Sequence, residues 1–235
     1  MFLDDVILGA LVAALPLYNL FANRWPPFNK ALFIPMNLAL AVVLLSVAVG
    51  PLDLTSESVF GRSTATGVAV GFLLGLAATA PLFALSLFER GARLVRDERV
   101  ANLSGWTLAY QVLLRIPLGT AFAEEVAFRG VLFAAWRDSG ALGAAIYSSL
   151  VFGLWHVGPT INAVRANTPE ASAVTTARAV AGAVVFTTAA GLLFSWLRVR
   201  FGLGGTIALH ATGNALATVA SVIAARRLQT SKSAR

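Results

Sequence analysis

Seven runs of apolar residues, each near the length of about 20 that carries a helix across a bilayer, leave this chain few folds. They lie at roughly 6–22, 31–50, 65–88, 104–125, 140–157, 178–197 and 205–225. Backbone groups in hydrocarbon have no water to bond, so such runs must be helical. The polar/apolar alternation of a membrane barrel is absent. The expected fold is all-α, a polytopic membrane helix bundle of about seven transmembrane helices. Composition excludes the soluble alternative. Only 12% of residues are charged and mean hydropathy is +0.76, against about 25% charged in soluble domains. The first run opens with Asp4 and Asp5, where a secretory signal carries positive charge, so it is expected to be retained as a helix. The arginine- and alanine-rich composition points to a bacterial cell membrane.

Connections are short. "NRWPPFNK" joins the first two runs, and its prolines stop the helix. "ERGARLVRDERV" joins the third and fourth, with room for an amphipathic turn or two on the membrane surface. "GPTINAVRANTPEASAVTTAR", from Gly158, is the longest polar link and reads as a mobile loop; the basic segment 226–235 reads as a disordered tail. With the N-terminus outside, inner connections hold Arg24, Lys30, Arg90, Arg93, Arg96, Arg99, Arg165, Arg178, Arg226, Arg227, Lys232 and Arg235. Outer connections hold Arg62, Arg129, Arg137, Arg198 and Arg200. Twelve against five favours N-out, C-in. The net charge of +7 suits anionic lipid headgroups. The arginines are scattered between apolar runs rather than gathered in a soluble domain, so no nucleic-acid partner is expected. The absence of cysteine excludes disulfides and thiol catalysis. Gly67, Gly71 and Gly75, spaced by four, predict a close helix–helix approach.

Charge inside the apolar runs is the unusual feature. "FAEEVAFRG" places Glu124, Glu125 and Arg129 together, and each unpaired charge at mid-membrane costs roughly 2.5–3.5 kcal/mol on insertion scales. Glu125 and Arg129 are four apart and can pair on one helix face. Glu124 points about 100° away, and is left to face something else. The chain has two histidines, both in apolar helices: His156 closes "FGLWH", and His210 opens "HATGN". Phe152 shares a face with His156, and Asn214 with His210. Buried ionisable groups in membranes are functional candidates.

These segments resemble one family. "EEVAFR" fits EExxxR, "FGLWH" fits FxxxH and "HATGN" fits HxxxN, in that order, in three successive apolar regions. They are the signatures of the CPBP intramembrane proteases, also called the ABI family, which include type II CAAX prenyl endopeptidases and bacteriocin-immunity relatives. The resemblance covers roughly 101–225 and implies a catalytic bundle there, with 1–100 as a three-helix N-terminal extension. It also implies that glutamate and histidine activate water, and that the last histidine and asparagine stabilise or coordinate.

The residues support the same chemistry on their own. Peptide hydrolysis needs an activated water and a stabilised oxyanion. A partly desolvated Glu124 suits the general base, a role worth about 10²–10⁴-fold. His156 would hold the water or a metal. His210 and Asn214 would donate to the oxyanion, at roughly 2.7–4 kcal/mol per donor. Glu125, Arg129 and Phe152 would support them. Glu124, His156 and His210 could also hold zinc with an open fourth position, although the HExxH of zincins is absent. The expected substrate is a membrane-associated or lipidated protein or peptide. Rhomboid GxSG, intramembrane aspartates and a retinal-type lysine in the last run are all lacking. Two readings compete with the protease: a non-enzymatic immunity or scaffolding protein, and a solute or proton transporter relaying through Glu124, His156 and His210.

Overall fold

The computed structural model describes residues 2–26 and 28–233, which are mostly helical with no strand among them. We label α1 (Phe2–Ala22), α2 (Phe33–Val49), α3 (Ser56–Phe60), α4 (Ala65–Ser86) and α5 (Glu89–Val95). Next comes α6, a rod over 105–135 that alternates α-helical and wider π-helical turns. It is followed by α7 (Gly140–Trp155), α8 (Val157–Asn167) and α9 (Ala173–Ser233). At Gly202 (φ 70°) α9 breaks into two helices. A Cβ there would lie 2.5 Å from Ser63 N, so both the left-handed backbone and the close approach require glycine. Among the described residues the bundle thus has seven long helices, as expected. The chain is an integral membrane protein: Asp4–Ala22, Ser56–Ser86, Arg137–Asn167 and Ala173–Ser231 are long and apolar enough to cross a bilayer.

The most charged span, α6, is sheltered by protein. Residues 126–134 are all buried, whereas the outer helices expose large apolar side chains such as Leu73, Val185 and Phe186. Lipid therefore meets the apolar spans, and Arg129 and Glu125 meet only protein. One core joins Leu15, Ala41 and Leu44 of α1 and α2 to Val126, Phe128 and Trp155. The N-terminal helices are thus packed into the same core as 101–225.

Several expectations are corrected. The supposed mobile loop after Gly158 is mostly helix α8, with only a short turn before α9. Tertiary hydrogen bonds hold it: Asn162 Nδ2 donates to the Asn23 carbonyl (3.2 Å), and Asn167 Nδ2 donates to Asp97 Oδ1 (3.1 Å). Asp97 lies in the turn before α6. Burial pushes its carboxyl up, but the Arg99 hydrogen bonds and charge prevail and hold it below the usual carboxylate value. The basic tail continues as helix to Ser233; Arg235 lies outside the described residues. Arg129 and Arg198 are not connection charges, because both are buried within helices.

The glycine stripe does what its spacing predicts. It seats α4 on α9 from the Gly202 break onward: a Cβ on Gly75 would lie 2.7 Å from Thr212 Cβ, and one on Gly67 would lie 2.6 Å from Cβ of Phe201, just before the break. One on Gly71 would overlap the Gly205 carbonyl. Gly71→Ala is expected to cost about 1–3 kcal/mol by overpacking. Gly182→Ala, where the space is open, should cost nothing comparable. Thermal unfolding of both in detergent checks this, and equal midpoints would contradict it.

Candidate active site

Three segments converge at the middle of the bundle. α6 supplies Glu124, Glu125 and Arg129; the end of α7 supplies Phe152, Trp155 and His156; the second half of α9 supplies His210. The carboxylates sit on a single α-helical turn (Ala123–Glu125) between two π-helical segments. Such wide turns recur at functional sites because they re-aim side chains.

Glu125 and Arg129 pair as their spacing predicts, at 3.4 Å and with no side-chain exposure. Glu125 Oε1 also accepts from His210 Nδ1 at 2.8 Å. A carboxylate can only accept, so Nδ1 carries the proton. The other ring nitrogen, Nε2, lies 3.8 Å from Glu124 Oε2. Glu125 therefore binds the arginine on one side and orients the histidine on the other. The Arg129 guanidinium lies 4.0 Å from the Phe152 ring centre and 5.0 Å from that of Phe194. Aromatic faces favour a cation in a desolvated setting. A Cβ on Gly191 would lie 2.8 Å from Ser149 Cβ and 3.0 Å from Arg129 Nη2, so the glycine leaves room for both side chains.

Glu124 is the carboxylate left over. Its side chain is 12% exposed, against 0% for Glu125. Oε1 accepts from the indole Nε1–H of Trp155 at 3.0 Å. Oε2 is buried and without a hydrogen-bond partner among the described residues. The histidine rings meet across Phe152: His156 lies 4.6 Å and His210 6.2 Å from it, centre to centre and nearly perpendicular. His156 Nδ1 lies 2.8 Å from the Phe152 carbonyl, which again places the proton on Nδ1 and leaves Nε2 for chemistry.

Asn214 is not drawn into this cluster. It is exposed, and its side chain has no partner among the described residues. As for zinc, no group of three or more His, Asp or Glu side chains among the described residues is arranged to hold a metal ion. His210 Nδ1 is already committed to Glu125.

Four residues were not singled out from sequence, Phe194 beside Arg129 and His210 among them. Trp155 lies inside "FGLWH", next to the histidine, and only the fold reveals its bond to Glu124. Gly191 carried no signal among many glycines. Arg198 was read as a connection charge, yet it donates from Nε to the Arg129 carbonyl (2.9 Å) and from Nη2 to the carbonyls of Ser58 and Val59. It ties α3 to the turn that carries Arg129.

Residues 105–216 match the family model described as type II CAAX prenyl endopeptidase Rce1-like. The matched stretch contains all three motifs and every site residue above. No curated protein and no solved structure matches the chain.

Proposed function

Because residues 105–216 match the Rce1-like family model, we propose that the chain is a CAAX-type intramembrane protease in which Glu124 is the base that activates the hydrolytic water. The observation that supports this most is its buried, unpartnered Oε2, 3.8 Å from His210 Nε2 on a side chain that keeps 12% exposure. In this reading water sits within reach of Oε2 and of a histidine. It attacks the scissile carbonyl carbon while Oε2 takes its proton. The carbonyl electrons move to the oxygen, and His210 and Asn214 donate to that oxyanion. Asn214 is exposed and outside the cluster, so its amide would have to turn toward bound substrate to donate. The C–N bond then breaks, and Glu124 returns its proton to the leaving amine. To donate from Nε2, His210 must carry a proton there as well as the one that Nδ1 gives to Glu125. Glu125 and Arg129 hold the turn and orient His210.

No step is routed through a metal, because the donor set is not gathered to hold one. The substrate we infer is a membrane-associated or lipidated protein or peptide. The test uses purified protein, a farnesylated CAAX peptide and its unprenylated twin, with and without a chelator. Cleavage that needs Glu124 and survives chelation is expected. Cleavage lost on chelation and restored by zinc would replace the base by a metal-bound water. Equal rates for wild type and Glu124→Gln would remove the mechanism. A lipid requirement shows as preference for the farnesylated probe.

A further inference from the structure

The bond from Trp155 to Glu124 is one link of a longer chain of contacts. The indole N–H is a donor only, and it holds one oxygen of Glu124 at 3.0 Å while the other oxygen stays unpartnered. A carboxylate that must present one oxygen to water benefits from having the second fixed. Trp155 is itself buried, 4% exposed, and held on three sides. The Tyr18 ring stacks on it at 6.0 Å and 20°. The Phe128 ring meets it edge-on at 5.5 Å. Asn19 Nδ2 donates to the Trp155 carbonyl at 2.7 Å. Tyr18 and Asn19 both belong to α1, outside the stretch 105–216 that matches the family model. Asn19 is a buried polar residue on a membrane helix, and such residues are retained where they meet a partner. Here the partner is the backbone of the residue that touches Glu124.

We propose that Trp155 is a positioning residue for Glu124, and that α1 clamps it through Tyr18 and Asn19, so that the N-terminal helix completes the site. This rests on the protease reading of Glu124. It also predicts that the matched stretch alone is a poor enzyme, because the clamp lies outside it.

The full-length protein in nanodiscs, with ¹⁵N-labelled indoles, tests the contact independently of activity. The chain has five tryptophans, and Trp155→Phe assigns the signal by its loss. Glu124→Gln is expected to move the Trp155 signal and leave the others in place; Asn19→Leu is expected to move it as well. A Trp155 signal indifferent to Glu124→Gln would overturn the contact. Trp155→Phe keeps an aromatic ring and removes the donor. On the farnesylated CAAX probe it should lower kcat by about 10–100-fold, the scale of a misplaced reacting group, with KM unchanged. Asn19→Leu, which keeps the indole, should lower kcat in the same direction. Wild-type kcat in both variants, or a change confined to KM or to thermal stability, would overturn the positioning role. A wild-type protein no faster than Glu124→Gln would instead overturn the protease reading, with the indole signal still deciding the contact.

Discussion

Glu124→Gln is expected to abolish cleavage and leave the protein folded. Glutamine has nearly the same shape, and its amide oxygen can still accept from the Trp155 indole. It cannot take a proton from water, so the general-base contribution of about 10²–10⁴-fold is lost. The fold should tolerate the change because Glu124 Oε2 has no hydrogen-bond partner to lose. The checks are turnover of the farnesylated CAAX probe and thermal unfolding in the same detergent. A folded variant with full turnover would take Glu124 out of the mechanism.

Glu125→Gln should differ by a large loss of stability. Its carboxylate is the anionic partner of a guanidinium with no exposure at all. Removing one member of a buried ion pair typically costs about 3–5 kcal/mol, because the other charge stays buried without compensation. Phe152 and Phe194 offer Arg129 their ring faces, which offsets only part of that cost. Pairing Glu125→Gln with Arg129→Met removes both charges and should recover stability, and the double-mutant cycle gives the coupling between them. Equal unfolding midpoints for Glu125→Gln and Glu124→Gln would contradict the division of labour between the two carboxylates.

The pairing of Glu125 with Arg129, with Glu124 left over, is legible in the sequence for a physical reason. Charges are expensive in apolar runs, so Glu124, Glu125, Arg129, His156 and His210 stand out, and four-residue spacing pairs Glu125 with Arg129 directly. The glycine stripe was legible for a similar reason, since small residues at that period leave room for a neighbouring helix. Contacts between distant segments were not legible. Nothing local in "FGLWH" marks Trp155 as the donor to a carboxylate 31 positions away. Nothing local in α1 ties Asn19 to α7. Arg198 looked like a connection charge because "LRVRFG" breaks an apolar run, and its carbonyl partners come from α3 and α6. Helix α8 was misread as a loop because its residues are polar and include Pro159. A proline in the first turn of a helix costs little, and the order there comes from Asn23 and Asp97, far away in sequence.

The most direct test of the central claim compares membranes that express this protein with membranes that express Glu124→Ala at equal abundance, reading all protein termini by mass spectrometry. The account predicts new termini in membrane-associated or lipidated proteins that vanish in the variant, and those termini would give the cleavage site. Identical termini in the two samples, with both proteins present and several growth conditions sampled, would contradict proteolysis through Glu124 and return the buried charges to an immunity or transport role.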